Sequence, residues 1–311
     1  IKTRSISVMD FTLTILFRRY CLSLEAFLHT LADGTFPFCV GINPTSFAWA
    51  NLYKRLSSVN DYGNDFDIGN WDGHFPPWLF DAVVNCFNKI YDDDPRYQLA
   101  RKCLFTNACH GYTNFLDLVL QKQRGMPSGF PGTAIVNTFG HFILFYCFYI
   151  IICQTNHKSA LFDEFNMFVA ASFYGDDAVF SIHNDLKLQG ITSRAFINLY
   201  QDFGWPISSA SKDSDPSIEK PILELQFLKR HFKLDPLFGS TVVYGAIEKE
   251  VINNLLHWQR KTPNDQLQLY VNINEALEFS YAHGEDFYND ILQRVNKILL
   301  SYKKDIVICS Y

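Results

Sequence analysis

The segment that most restricts how this chain can fold is Tyr174-Gly175-Asp176-Asp177, two adjacent carboxylates on a glycine turn. An apolar run from Phe165 to Phe173 precedes it, and a second, Ala178 to Ile182, follows. Such runs around a tight turn predict strand, turn, strand, and Gly175 supplies the backbone freedom the turn needs. Two acids pushed out of an apolar hairpin repel each other. A divalent cation held by hard oxygen ligands is the natural balance. A solvated Gly-Asp-Asp turn would have the same composition, since both residues are common in turns, so the surrounding sequence must decide.

The 311 residues, 48% hydrophobic and 16% aromatic, suffice for a large core in one extended or two compact domains. A net charge of −5 gives no global support for nucleic-acid binding and leaves only a local basic groove open. The cysteines at 21, 39, 86, 103, 109, 147, 153 and 309 form no CxxC pair and no zinc-spaced cluster with histidine. Free thiols in a reducing compartment are expected. The chain opens on Ile1 with Lys2 and Arg4 and shows no signal peptide. An internal fragment or a proteolytic product is therefore expected. The most apolar run, Phe139 to Cys153, is shorter than the roughly twenty residues of a membrane helix and is expected to be a buried core helix.

Helices are expected over 10–32, from Asn43-Pro44 through Leu56, from Pro76-Pro77 through Phe87, from about Thr133, and from Thr192 to Phe203. Strands are expected at Asp65–Ile68, at Tyr112–Leu120, on both sides of the acid turn, at Leu225–Lys233 and at Ser240–Tyr244. Asp92-Asp93-Asp94-Pro95 is expected to be a solvated loop. From Ile247 the pattern is helical, with Phe287, Ile291, Leu292, Val295, Ile298 and Leu299 on one face. The fold class is mixed α/β (α+β), with a boundary near 235–245 at Pro236 and Gly239.

Upstream of the turn, Asp67-Ile-Gly-Asn-Trp-Asp72 places two acids five residues apart at a strand end. If the strands pair, Asp67, Asp176 and Asp177 could hold two metal ions roughly 3.5–4 Å apart, the arrangement that serves phosphoryl transfer. A strand-end Asp is also a common turn former or helix cap. Between the acid sites, Gly125-Met-Pro-Ser-Gly-Phe-Pro-Gly-Thr133 leads into a helix bearing Asn137. Thr133 and Asn137, four apart, share a face. With Ser128 they could present hydroxyl and amide groups to a sugar, or the loop could bind phosphate or be purely structural. No GxxxxGK[ST] is present, so a P-loop ATPase is unsupported.

Taken in order, Asp67-x4-Asp72, Ser128-Gly129-x3-Thr133-x3-Asn137 and Tyr174-Gly-Asp-Asp177 resemble motifs A, B and C of viral RNA-dependent RNA polymerases, nearest the picornavirus-like supergroup. Phe203 to Lys212 is similar to motif D, Phe227-Leu-Lys229-Arg230 to motif E, Lys2-Thr-Arg4 to the end of motif F, and Gly41-Ile-Asn-Pro44 to a fingers signature. The resemblance covers about residues 2–232. It implies a right-hand polymerase with an RRM-like antiparallel palm sheet. Partial fingers would occupy 1–60 and 86–125, the palm 61–85 and 126–235, and a helical thumb 236–311. Asp67 and Asp176 would be the main ligands of two Mg²⁺ or Mn²⁺ ions, with Asp177 accessory. Asp72, Ser128 and Asn137 would sense the ribose 2′-OH, supported by Thr133, with Gly129 beside them in the NTP site. Arg4 would contact the triphosphate. Lys212 would donate a proton to pyrophosphate, and Lys229 with Arg230 would brace the primer. A merely solvated charge is the alternative for Lys212 and Lys229. The implied partners are template and primer RNA, NTPs, a genome-linked protein primer and other viral replication proteins, in membrane-associated complexes of the host cytoplasm, with no stable DNA substrate.

Two features depart from the family's pattern. The chain begins inside motif F, so upstream fingers and their basic residues are expected to be missing. Phe130 and Pro131 are bulkier than the residues expected in the motif B loop, which implies a restrained loop. Three competing readings remain, one of them that this fragment folds but is inactive without its N-terminal fingers. A reverse transcriptase would usually carry a bulky aromatic where Asp72 stands. A non-catalytic RNA-binding relict of the fold is disfavoured by the intact acids.

Overall fold

The computed structural model describes residues 7–301 apart from 213, 236, 237 and 260. Helix α1 (Phe11–Thr30) starts where the Asp10 carboxylate accepts the Thr12 amide, satisfying a donor that no helix carbonyl can reach. The next helix, α2 (Phe47–Val59), begins later than Asn43-Pro44 suggests, with Ser46 as its cap. Asn43 instead closes a turn, its Oδ1 accepting from both the amide and the hydroxyl of Thr45. Strand β1 (Tyr62–Ile68), the single turn α3 (Trp71–His74) and the proline-initiated α4 (Pro77–Tyr91) follow.

The run of three aspartates is more than a solvated loop. Asp92 ends α4 in the left-handed region at φ 43°, Asp93 pairs with buried Arg101, and Asp94 caps α5 (Pro95–His110). The expected single strand at Tyr112–Leu120 is a hairpin, β2 (Tyr112–Phe115) with β3 (Leu118–Gln121), turning at Leu116 with φ 55°. Helix α6 (Thr133–Thr155) contains the expected core segment, and its most apolar window is 67% buried. Among the described residues it is the one helix long and apolar enough to cross a membrane.

The apolar run before the acid turn divides. Its first part lies in α7 (Phe162–Phe168), where Phe162 and Phe165 pack on Tyr146 and Tyr149 of α6. Only β4 (Val169–Tyr174) pairs with β5 (Asp177–Ile182). The chain continues through α8 (Asn184–Lys187), α9 (Ser193–Asp202), β6 (Ile207–Ser208), β7 (Lys220–Pro221), β8 (Gln226–Phe227), β9 (Arg230–Asp235) and β10 (Gly239–Ala246). It ends in α10 (Lys249–His257), α11 (Asp265–Tyr281) and α12 (Glu285–Ser301).

The central sheet runs β4-β5-β1-β6 with β7 on the other end of β1, and every pair is antiparallel. Side chains alternate across it. Phe66, Ala178, Phe180 and Ile182 enter a large aromatic core with α6 and α9, in which Phe145 stacks on Phe196 at 4.3 Å. Val179 and Ala170 enter a second core with Trp49 of α2 and Phe227, Phe232 and Val243 of the β8-β9-β10 sheet. This sheet joins the strands on either side of 235–239, so the separate helical core of Ile252, Ile273, Ala276, Ile291, Val295 and Leu299 begins with α10. Both faces of the central sheet are thus covered, and Asp67, Asp176 and Asp177 lie together at one end of it.

Candidate active site

Antiparallel register places the acids. Asp67 stands opposite Asp177 on β1 and β5, and opposite Ser208 on β6. Gly175 and Asp176 form the two-residue link between β4 and β5, with Gly175 at φ 61° and open space where a Cβ would stand. Asp176 is exposed at the tip, whereas Asp177 is partly buried. Loss of water around the carboxyl, then the negative charge of Asp67, pushes Asp176 up to about 6. Burial, then the charges of Asp176 and Asp67, pushes Asp177 up to about 7, opposed by Lys229. No ion pair neutralises any of the three among the described residues. The described residues hold no ready three-ligand cluster of acids, histidines or cysteines. What the fold brings together is a pair of facing acids, Asp67 and Asp177, with Asp176 close enough to exchange a hydrogen bond with Asp67.

Asp72 lies in the first turn of α3, which begins at left-handed Asn70. Asn137 Nδ2 donates to Asp72 Oδ1 at 2.7 Å, and the Met126 amide donates to the Asp72 carbonyl at 2.7 Å. Asn137 is 5% exposed, and its Oδ1 is buried without a protein partner. An acceptor is thus left beside an oriented carboxylate. Ser128 and Gly129 are exposed, and the Ser128 hydroxyl accepts the Ser7 amide at 3.0 Å. Thr133 faces its own loop, its hydroxyl directed at the carbonyls of Phe130 and Pro127. Phe130 is 4% exposed and sits edge-on to Phe17 at 4.7 Å, so the loop is anchored as its bulk suggested.

A family model described as viral RNA-dependent RNA polymerase matches residues 1–300. The chain belongs to the viral RNA-dependent RNA polymerase family. It is 30% identical over 308 residues to the genome polyprotein of Rice tungro spherical virus (strain Vt6), covering 96% of this chain and 9% of the polyprotein. It is 27% identical to the genome polyprotein of Human hepatitis A virus genotype IIA (isolate CF-53), covering 96% and 13%. Its fold is similar to a Sicinivirus 3Dpol RNA dependent RNA polymerase, with TM-score 0.74 and 20% identity over 94% of this chain and 58% of that one. The chain therefore spans a small part of these polyproteins and less than two thirds of that polymerase.

The remaining motifs of this polymerase-family chain are placed unevenly. Leu228 and Lys229 turn the β8–β9 hairpin at φ 53° and 57°, and Lys229 acts on Asp177. Arg230 is otherwise engaged: its Nη1 donates to the Gly245 carbonyl at 2.7 Å, and its guanidinium lies 5.1 Å from the Phe279 ring centre. That ties the hairpin to α11. Lys212 is exposed in a turn at φ 64° and makes no ion pair among the described residues. Arg4 lies outside the described residues. Sequence reasoning missed three polar side chains that hold the site. Asp65 is 3% exposed and accepts the amides of Ala210 at 3.2 Å and Gln226 at 2.8 Å, which pins the motif D and E segments to β1. Thr138 and His141 reach the acid turn from α6. The one signal was their polarity in or beside an apolar helix.

Proposed function

We propose that this chain is the catalytic core of an RNA-dependent RNA polymerase of a positive-strand, picorna-like RNA virus. It would transfer nucleotides from NTPs onto RNA during genome replication. The observation that carries the reading is the joining of two sites: Asp67 facing the Asp176-Asp177 turn, and Asp72 held by Asn137. We assign partial fingers to 1–60 and 86–125, palm to 61–85 and 126–235, and thumb to 236–311.

The three carboxylates fit hard divalent cations, because their mutual repulsion, expressed in the raised Asp176 and Asp177, is what a cation would relieve. Two Mg²⁺ or Mn²⁺ held by Asp67, Asp176 and Asp177 would supply positive charge at the attacking and leaving oxygens. Asp72, oriented by the Asn137 amide, would accept from the ribose 2′-hydroxyl. Ser128 and Gly129 would line the NTP site, with Thr133 keeping the loop in shape. Lys229 would brace the primer backbone. Arg4 would bind the triphosphate and Lys212 would protonate pyrophosphate, as the family pattern implies. The partners would be template and primer RNA, a genome-linked protein primer and other replication proteins, in cytoplasmic, membrane-associated complexes.

The test is incorporation of NTP against dNTP on an RNA template by a protein of polymerase length carrying this chain, and by its Asn137→Ala variant. The parent is expected to favour NTP, and the variant to lose discrimination by on the order of 10-fold or more, since a site built around a hydroxyl discriminates through it. A parent that prefers dNTP is a reverse transcriptase, and the reading fails.

A further inference from the structure

One turn of α6 touches both halves of the proposed site. Asn137 holds Asp72 at 2.7 Å. The next residue, Thr138, accepts the Gly175 amide on its Oγ1 at 2.9 Å. His141, one turn further on, lies with Nδ1 2.9 Å from the Gly175 carbonyl. Both backbone polar groups of the residue before Asp176 are therefore taken by side chains of one helix.

The geometry of each contact is imposed by its surroundings. Thr138 is 1% exposed and donates its own proton to the Ala134 carbonyl at 2.7 Å, which leaves its lone pairs for the Gly175 amide. His141 is fully buried, packed against the rings of Phe66, Trp71, Phe173 and Tyr200. A carbonyl partner requires the proton on Nδ1, and Nε2 is then buried without a partner. An unpaired buried polar atom carries a penalty that a phenylalanine in this aromatic cage would not. The compensation on the page is the bond to Gly175. From the sheet side the turn is held by the Ile68 amide, which donates to the Asp176 carbonyl at 3.4 Å; Gly175 itself, at φ 61° with nothing within 4 Å of its Cβ position, has only the α6 side chains on its polar groups.

We propose that Thr138 and His141 are positioning residues that clip the Gly175 peptide to α6, so that the aim of Asp176 is set by the same helical turn whose Asn137 orients Asp72. Recognition of the ribose and placement of the metal-holding acids are thereby carried by one rigid element, residues 137–141. This inference rests on the polymerase reading of the site.

The test uses a protein of polymerase length carrying this chain, with Thr138→Val, Thr138→Ser, His141→Phe and, as a control, Asp176→Asn. Five quantities are read: melting temperature, exchange of the Gly175 amide, Mn²⁺ binding without nucleotide, and kcat and KM for the NTP. Thr138→Val and His141→Phe are expected to keep KM while losing kcat by on the order of 10–100-fold, the scale of a small misplacement at a reacting centre. They should also bind Mn²⁺ more weakly, and Thr138→Val should exchange the Gly175 amide faster. Thr138→Ser, which keeps the hydroxyl, should restore all of these. His141→Phe fits the aromatic cage and keeps the test alive if the valine variant melts early. Parental kcat and Mn²⁺ binding in both variants overturns the clip, as does a serine variant as impaired as the valine one. If the parent and Asp176→Asn bind Mn²⁺ alike, the polymerase reading fails instead, and Gly175 exchange still reports on the clip.

Discussion

At the scale of single residues, the acid site is held in a state of electrostatic tension. Asp177, raised to about 7 from a reference of 3.8, keeps its proton in the folded protein at pH values where the unfolded chain has lost it. Between pH of about 4 and 7 the folded state thus binds more protons, so Asp177 makes stability fall as pH rises through that window. Asp176, raised to about 6, acts in the same direction. His141 has the opposite sign: burial pushes it down to about 3, so the stability it contributes is present above the ordinary histidine range and is lost as pH falls. Comparing parent with Asp177→Asn isolates the first effect. In chelator, the melting temperature of the parent should fall more between pH 5 and 8 than that of Asp177→Asn; equal slopes would show that Asp177 is not under this tension. The pairing of the Asp67 strand with the acid hairpin, and the place of Asn137 on the helix that starts at Thr133, were legible in the sequence. Asp65, Thr138 and His141 were not, because each meets a backbone group far along the chain. The Asp65 bond to Gln226 spans 161 residues, and no local pattern encodes that partner.

At the scale of elements, the β8–β9 hairpin bears strain. Its two-residue turn puts Leu228 and Lys229 at φ 53° and 57°, where glycine and asparagine are preferred. A left-handed non-glycine residue costs about 1–2 kcal/mol. Leu228 packs against the second core, and Lys229 lies near the acids, so the strain delivers a cation to the site. Lys229→Gly is expected to raise stability by up to about 1 kcal/mol in denaturant unfolding while weakening primer–template RNA binding. Loss of stability with unchanged RNA affinity would make Lys229 a structural residue. Elements were read well from the sequence where the apolar pattern is strong, along nearly all of α6 and on one face of α12, and poorly where polar contacts decide. Helix α5 is fixed by its Asp94 cap and by buried Arg101 paired with Asp93, side chains that look like loop and surface. The pattern at 165–173 predicts strand, whereas its first four residues, Phe165 to Phe168, complete helix α7, where Phe165 packs on Tyr149.

At the scale of the whole molecule, the central sheet is a double-sided platform. One aromatic core fixes it to α6, a second fixes it to α2 and the β8-β9-β10 sheet, and a third, all-helical core follows from α10. The acids, the Asp72–Asn137 pair and Lys229 converge where β1, β5, α3, α6 and the β8–β9 turn meet. The order of motifs made this fold class legible. The division between cores was less so, because β9 and β10 pair across the region where Pro236 and Gly239 suggested a boundary. The central claim is that the facing acids perform templated RNA synthesis. Its most direct test is single-nucleotide extension of an RNA primer–template, with Mg²⁺ and the matching NTP, by a protein of polymerase length carrying this chain and by its Asp176→Asn variant. The account predicts template-directed extension by the parent and a loss of at least about 10³-fold in the variant, the scale of removing a principal electrostatic group from a reacting centre. Extension by Asp176→Asn at the parental rate, or none by a folded parent of that length, would contradict it.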